Sequence, residues 1–98
     1  MIVEPIAAAE REVSAAVEYY MTKAPHVAER FLADFDQIVQ RIVAHPNARA
    51  LTGRGLRRCL LTDFPYQVIY RIEGDVIRVY AIAHHKRRPR DWRNRVTP

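Results

Sequence analysis

The run Tyr66-Gln67-Val68-Ile69-Tyr70-Arg71-Ile72-Glu73-Gly74-Asp75-Val76-Ile77-Arg78-Val79-Tyr80-Ala81-Ile82-Ala83 reads as two strands and the turn between them. β-Branched and aromatic residues fill positions 66–72 and 76–83, and these types suit a pleated, half-buried surface. Gly74-Asp75 is a tight-hairpin signal. With those two as loop residues, Ile72 pairs with Ile77, Tyr70 with Val79 and Val68 with Ala81. That face is apolar or aromatic throughout, so it is the one to be covered. The other face sets Gln67, Ile69 and Arg71 across from Ile82, Tyr80 and Arg78, with His84 at the strand's end. The hairpin thus offers one face to a core and keeps a mixed basic-aromatic face outside.

Upstream, 56–61 reads as a further strand, turned by Asp63-Phe64-Pro65, and residues 47–55, with Asn47, Thr52, Gly53 and Gly55, read as loop. Arg57 and Arg58 point to opposite sides of that strand, so one of them joins the outer face. The first half of the chain has the other period. Val13, Val17, Tyr20 and Met21 recur at helical spacing over 7–23, behind Ala7-Ala8-Ala9, with Glu10, Arg11, Glu12 and Glu18 on the wet side. Pro25 suits the first turn of a second helix over about 25–45. Its stripe is Val27, Phe31, Phe35, Ile38 and Ile42, widened by Leu32, Val39 and Val43, and His45-Pro46 ends it. The very short link makes the two an antiparallel hairpin. Ile2-Val3-Glu4 is a short strand that Pro5 confines to an edge. The order strand, helix, helix, strand, strand, strand predicts an α+β fold, with the helical hairpin packed on one face of an antiparallel sheet.

Ninety-eight residues suit one domain, expected over 1–98 with a basic tail from about 84 to 98. A hydrophobic fraction of 49% and a charged fraction of 28% are ordinary for a globular chain. No apolar run is long enough to cross a bilayer, so no membrane partner is expected. The N-terminus lacks a basic segment ahead of an apolar one, and the lone Cys59 cannot form an internal disulfide. Both fit a cytoplasmic location. No zinc spacing, glycine-rich phosphate loop, nucleophile elbow or paired carboxylate motif occurs, so neither a metal nor another cofactor is expected.

The charge is uneven. Residues 1–50 carry five Lys or Arg against seven Asp or Glu, and residues 51–98 carry eleven against four. Such asymmetry points to a polyanion or an acidic protein as partner. The densest stretch is His84-His85-Lys86-Arg87-Arg88-Pro89-Arg90-Asp91-Trp92-Arg93-Asn94-Arg95. Guanidinium groups grip phosphates and carboxylates in pairs, so Arg58, Arg78, Lys86, Arg87, Arg88 and Arg90 are candidate partner-binding groups. Trp92 either stacks on a partner or folds back over the core, and the area a tryptophan buries favours packing. Imidazole titrates near neutrality, so His84 and His85, with Tyr80, Arg78 and Arg71, are the acid–base and phosphate-holding candidates. An ordinary hydrogen-bonded histidine at a strand end is the plainer reading.

Ala15-Ala16-Val17-Glu18-Tyr19-Tyr20, Phe31 through Ile42 closing on Pro46, Arg57-Arg58, Tyr66-Gln67-Val68-Ile69-Tyr70-Arg71, and 79–84 with its basic tail together resemble the RelE/ParE toxin family of type II toxin–antitoxin systems. The resemblance spans nearly the whole chain. It implies the same fold and a cognate antitoxin, whose C-terminal segment wraps the toxin and folds as it binds. The charge balance suggests that segment is acidic and amphipathic. RelE-like members cleave mRNA in the ribosome with basic and acid–base residues on the open sheet face; ParE-like members inhibit DNA gyrase and lack that set. Several nuclease members carry Arg where this chain has Gln67, a loss of transition-state charge stabilisation. The resemblance therefore points to a ParE-like gyrase inhibitor. The alternative is a ribosome-dependent endoribonuclease (an mRNA interferase) using His84, His85, Tyr80, Arg78 and Arg71. A third reading is a non-toxic nucleic-acid-binding module held by phosphate contacts.

Overall fold

In the computed structural model, the apolar stripes of the first half become a helical hairpin, α1 (Ala7–Lys23) and α2 (Pro25–Ala44). Residues 1–96 are described; positions 97 and 98, the end of the expected tail, lie outside the described residues. The joint is the single extended residue Ala24, and Pro25 opens α2 where its missing N–H costs nothing. Ala9, Ala16, Phe31, Ile38 and Ile42 are buried, whereas Leu32 and Val43 stay exposed, so the covered stripe of α2 is narrower than its sequence suggests.

The sheet has five strands in the order β1-β5-β4-β3-β2: β1 (Ile2–Pro5), β2 (Leu51–Gly53), β3 (Leu56–Leu60), β4 (Tyr66–Glu73) and β5 (Val76–His84). The chain is α+β as expected, with three differences, all in the sheet. β1 is an edge strand but pairs parallel with β5, so the sheet is mixed. The expected loop over 47–55 contains β2, which turns into β3 through Gly53-Arg54-Gly55, three residues with positive φ. Two glycines there let the chain turn within three residues.

The decisive difference is in β4–β5. From Glu73↔Val76 to Tyr70↔Val79 the register is the one Gly74-Asp75 sets, but the next pair is Ile69↔Ala81. Tyr80 is an extra residue on β5, a β-bulge. Beyond it every side chain changes face relative to simple alternation. Val68 pairs with Ile82, not Ala81. Ile82 packs in the core under the helices with Val68, Tyr70, Ile77 and Val79. Ala81 and Ala83 lie on the other face with Leu56, Ile69, Tyr80, Trp92 and Val96.

That second apolar cluster is made by the tail. A short helix, α3 (Arg90–Arg93), lays Trp92 on the outer face, leaving it only 4% exposed. The outer face is therefore covered in part and not open along its length. On the helix side, Tyr20, Phe31, Phe64 and Tyr66 form an aromatic group, with Tyr20 4.9 Å from Phe64 and Phe31 5.4 Å from Tyr66. Buried Asp34 braces the turn before β4 by accepting the N–H groups of Thr62 (3.0 Å), Asp63 (2.8 Å) and Phe64 (3.2 Å). Three N–H donors on one carboxylate satisfy a buried charge that would otherwise be costly.

Candidate functional site

Eight of the eleven cations of the second half fall into three groups. At the hairpin tip, Arg71 and Arg78 face each other across the ladder. Like charges there repel, and Glu73 relieves them. Its carboxylate accepts from Arg71 Nε at 2.8 Å, from Arg78 Nε at 3.1 Å and from the Tyr80 hydroxyl. Arg78 also reaches Glu4 on β1 at 3.1 Å. The hydrogen bond from Tyr80 outweighs burial, and with help from Arg71 and Arg78 it holds the Glu73 carboxyl below its usual range. Burial first, then that same bond, raises the Tyr80 phenol, so it stays protonated as a donor.

A second carboxylate, Glu12 of α1, latches the tail. It accepts Arg95 Nη1 at 2.8 Å and Nη2 at 3.1 Å, and it pairs with Arg87 and takes the Ile82 N–H at 3.1 Å. Arg95 Nη1 in turn donates to the Tyr80 carbonyl at 2.9 Å. β1 covers β5 only as far as Val79. Beyond that, the edge groups Tyr80 C=O and Ile82 N–H are met by these side chains, which blunts an otherwise open strand edge. Burial alone would raise the Glu12 pKa; Arg95, then Arg87 and the Ile82 N–H, more than offset it and leave it lowered. Arg93 ties α3 to the far side of the sheet through the Thr52 carbonyl at 3.1 Å.

The third group is free. Arg58, Lys86, Arg88 and Arg90 are exposed, and their side chains make no hydrogen bond or ion pair among the described residues. Arg58, not Arg57, joins the outer face, since it pairs with Ile69. Arg57 donates to the loop carbonyls of Asn47 and Arg49. The six expected partner-binding cations thus divide: Arg78 and Arg87 are taken up by carboxylates, and the other four are not.

The acid–base candidates are not brought together. Arg71, Arg78 and Tyr80 meet at Glu73, but the bulge sends His84 to the helix side of the sheet. There its ring lies 5.5 Å from Tyr66, in a shallow cleft with Glu12, Ala16, Tyr19, Ile82 and Arg87. His84 Nδ1 accepts the Lys86 N–H at 3.2 Å, and exposed His85 donates its own N–H to the Pro65 carbonyl. Gln67 is buried with its Oε1 lacking a partner among the described residues. No group of three or more His, Cys, Asp or Glu among the described residues could hold a metal ion, and no described helix is long and apolar enough to cross a membrane.

Glu12, Glu73 and Asp34 organise all of this; the sequence places Glu12 on the wet side of α1, whereas its side chain is only 15% exposed and faces the edge of β5, and it assigns no role to Glu73 or Asp34. A signal existed for two. Glu12 lies three residues after buried Ala9 and four before buried Ala16, and Asp34 lies among Phe31, Phe35 and Ile38, so both sit on covered helix faces.

Residues 4–89 match the family model of the ParE toxin of the type II toxin–antitoxin system parDE. The chain belongs to the ParE toxin family. It is 32% identical over 81 residues to Toxin ParE2 of Mycobacterium tuberculosis, found in two strains, a match covering 82% of this chain and 77% of that protein. The fold is also that of a chain from the chromosomal ParDE TA system of P. aeruginosa, with a TM-score of 0.73 and 23% identity, covering 86% of this chain and 95% of that one. This ParE-like chain is a type II toxin, and membership in a toxin–antitoxin family gives it a cognate antitoxin as partner.

Proposed function

We propose that this ParE-like toxin acts by binding and not by chemistry, that its target is DNA gyrase, and that the free cations Arg58, Lys86, Arg88 and Arg90 carry the recognition. One observation supports this above the others: the acid–base candidates are split by the bulge, with His84 on one side of the sheet and Tyr80 on the other. Cleavage of RNA needs a base for the ribose 2′-hydroxyl and an acid for the leaving oxygen, both positioned at one phosphate. A binding inhibitor needs only a few anchors on one surface, where arginines are enriched.

The antitoxin segment is acidic and amphipathic in this reading. Its acidic residues meet the tail cations, and its apolar residues enter a cleft of about 460 Å³ lined by Val3, Pro5, Ala9, Val13, Phe35 and Val39. Purified toxin should block supercoiling by gyrase, and the antitoxin should reverse the block. His84→Ala, His85→Ala and Tyr80→Phe should leave growth inhibition intact. Codon-positioned cleavage of ribosome-bound mRNA, lost in His84→Ala, would install the endoribonuclease reading instead.

A further inference from the structure

The Arg71–Arg78 pair is unusual in its placement. Two guanidinium groups directly opposite on an antiparallel ladder repel each other unless an anion lies between them. Tyr80, two residues beyond Arg78, brings a phenol to the same spot, and Arg71 Nη2 donates to its oxygen at 3.2 Å. The Arg71 guanidinium carbon lies 5.4 Å from the Tyr80 ring centroid, which fixes ring and cation against each other. Two arginine forks and a phenol O–H converging on one point are the donor set that holds a tetrahedral oxyanion. In this structure that point is filled by the chain itself, through the two oxygens of Glu73.

Glu73 is the carboxylate that both guanidinium groups and the phenol share. Glu4 touches the cluster only at Arg78 Nη1, and the Arg54 carbonyl lies 3.5 Å from Arg71 Nη1. The Arg71 stem is backed by Gly55, where a Cβ would come within 3.1 Å of Arg71 Cδ, so the guanidinium is held in place by backbone on that side. Glu73 itself is the last residue of β4, its side chain is 28% exposed, and it belongs to neither apolar cluster. Its carboxylate can leave without opening the core, while the donors stay anchored in the ladder.

We propose that Arg71, Arg78 and Tyr80 form a site for a phosphate-class oxyanion, and that Glu73 is its built-in competitor, which keeps phosphates off this face. The site is separate from the proposed gyrase-binding surface and does not depend on that reading.

Inorganic phosphate is the probe. The full chain, Glu73→Ala and Glu73→Gln are titrated with phosphate at ionic strength matched with chloride, following the Arg71 and Arg78 Nε–H resonances and the melting temperature. Removing the competing charge should tighten phosphate binding by ~10-fold or more, and phosphate should raise the melting temperature of the variants but not of the natural chain. Adding Arg78→Ala to either variant should abolish the gain. Glu73→Gln preserves the side-chain shape and keeps the test decisive if Glu73→Ala fails to fold. Folded variants that bind phosphate no better than the natural chain, or that bind it equally well without Arg78, would overturn the proposal.

Discussion

The two halves of the β4–β5 hairpin, below and above the bulge at Tyr80, fill the outer face of the sheet in different ways. Below it the ladder follows the turn, and the arginines are matched by carboxylates at once: Arg71 and Arg78 by Glu73, and Arg78 again by Glu4. Above it the alternation is displaced by one residue. The outward side chains become the small Ala81 and Ala83, which make room for Trp92. The tail then carries both kinds of cation, latched (Arg87, Arg95) and free (Lys86, Arg88, Arg90). A basic stretch is therefore not one functional unit. Cations held by a carboxylate or a backbone carbonyl hold the fold, and the exposed ones with neither are available to a partner.

The largest expected effect breaks the upper half. Trp92→Ala should destabilise the chain by about 3–5 kcal/mol, because it empties the cluster on Ile69, Tyr80, Ala81 and Ala83. Thermal or urea unfolding measures this, and an unchanged midpoint would put Trp92 outside the packing. Next comes the latch. Glu12→Ala leaves Arg95, Arg87 and the Ile82 N–H without their acceptor, at a cost of about 1–3 kcal/mol. Trp92 is the only tryptophan, so its emission should shift to the red as α3 loosens. A loss of stability without that shift would mean that Glu12 does not hold the tail.

A smaller effect is the pH dependence of the same latch. The folded pKa of Glu12 lies below its ordinary value of 4.5. Its contribution is therefore complete above that value and is lost as the pH falls from there through the folded pKa. The melting temperature of the natural chain should fall over that window more than that of Glu12→Gln, and parallel curves would remove Glu12 as a cause. The smallest effect on stability is expected where function is most exposed. Replacing Lys86, Arg88 and Arg90 by Ser should move the melting temperature little, since solvated charges contribute little to folding.

The fold was largely legible because its signals are local. The stripe Phe31, Ile38, Ile42 sets α2, Pro25 and Pro46 bound it, and Gly74-Asp75 fixes the lower ladder. The bulge leaves no such mark, because Tyr80 is an ordinary strand residue and the extra position is set by how β5 meets both β4 and the tail. One unmarked residue was enough to put Ala81 and His84 on the opposite side from that expected by simple alternation. The site was legible only as a composition. Which arginines are free depends on Glu12, which meets Arg95 from 83 positions away, and no local pattern carries that distance. The parallel pairing of β1 with β5 was hidden for the same reason: its partner is more than seventy residues off in the chain.

The separation of latched from free cations is tested most directly by gyrase supercoiling. The natural toxin is compared with a chain carrying Lys86→Ser, Arg88→Ser and Arg90→Ser, and with Arg78→Ser, each first shown to be folded by its unfolding midpoint. The triple variant should lose inhibition while melting like the natural chain, and Arg78→Ser should keep inhibition while melting lower. Inhibition that survives the triple change and disappears with Arg78→Ser would contradict the assignment of recognition to the free cations.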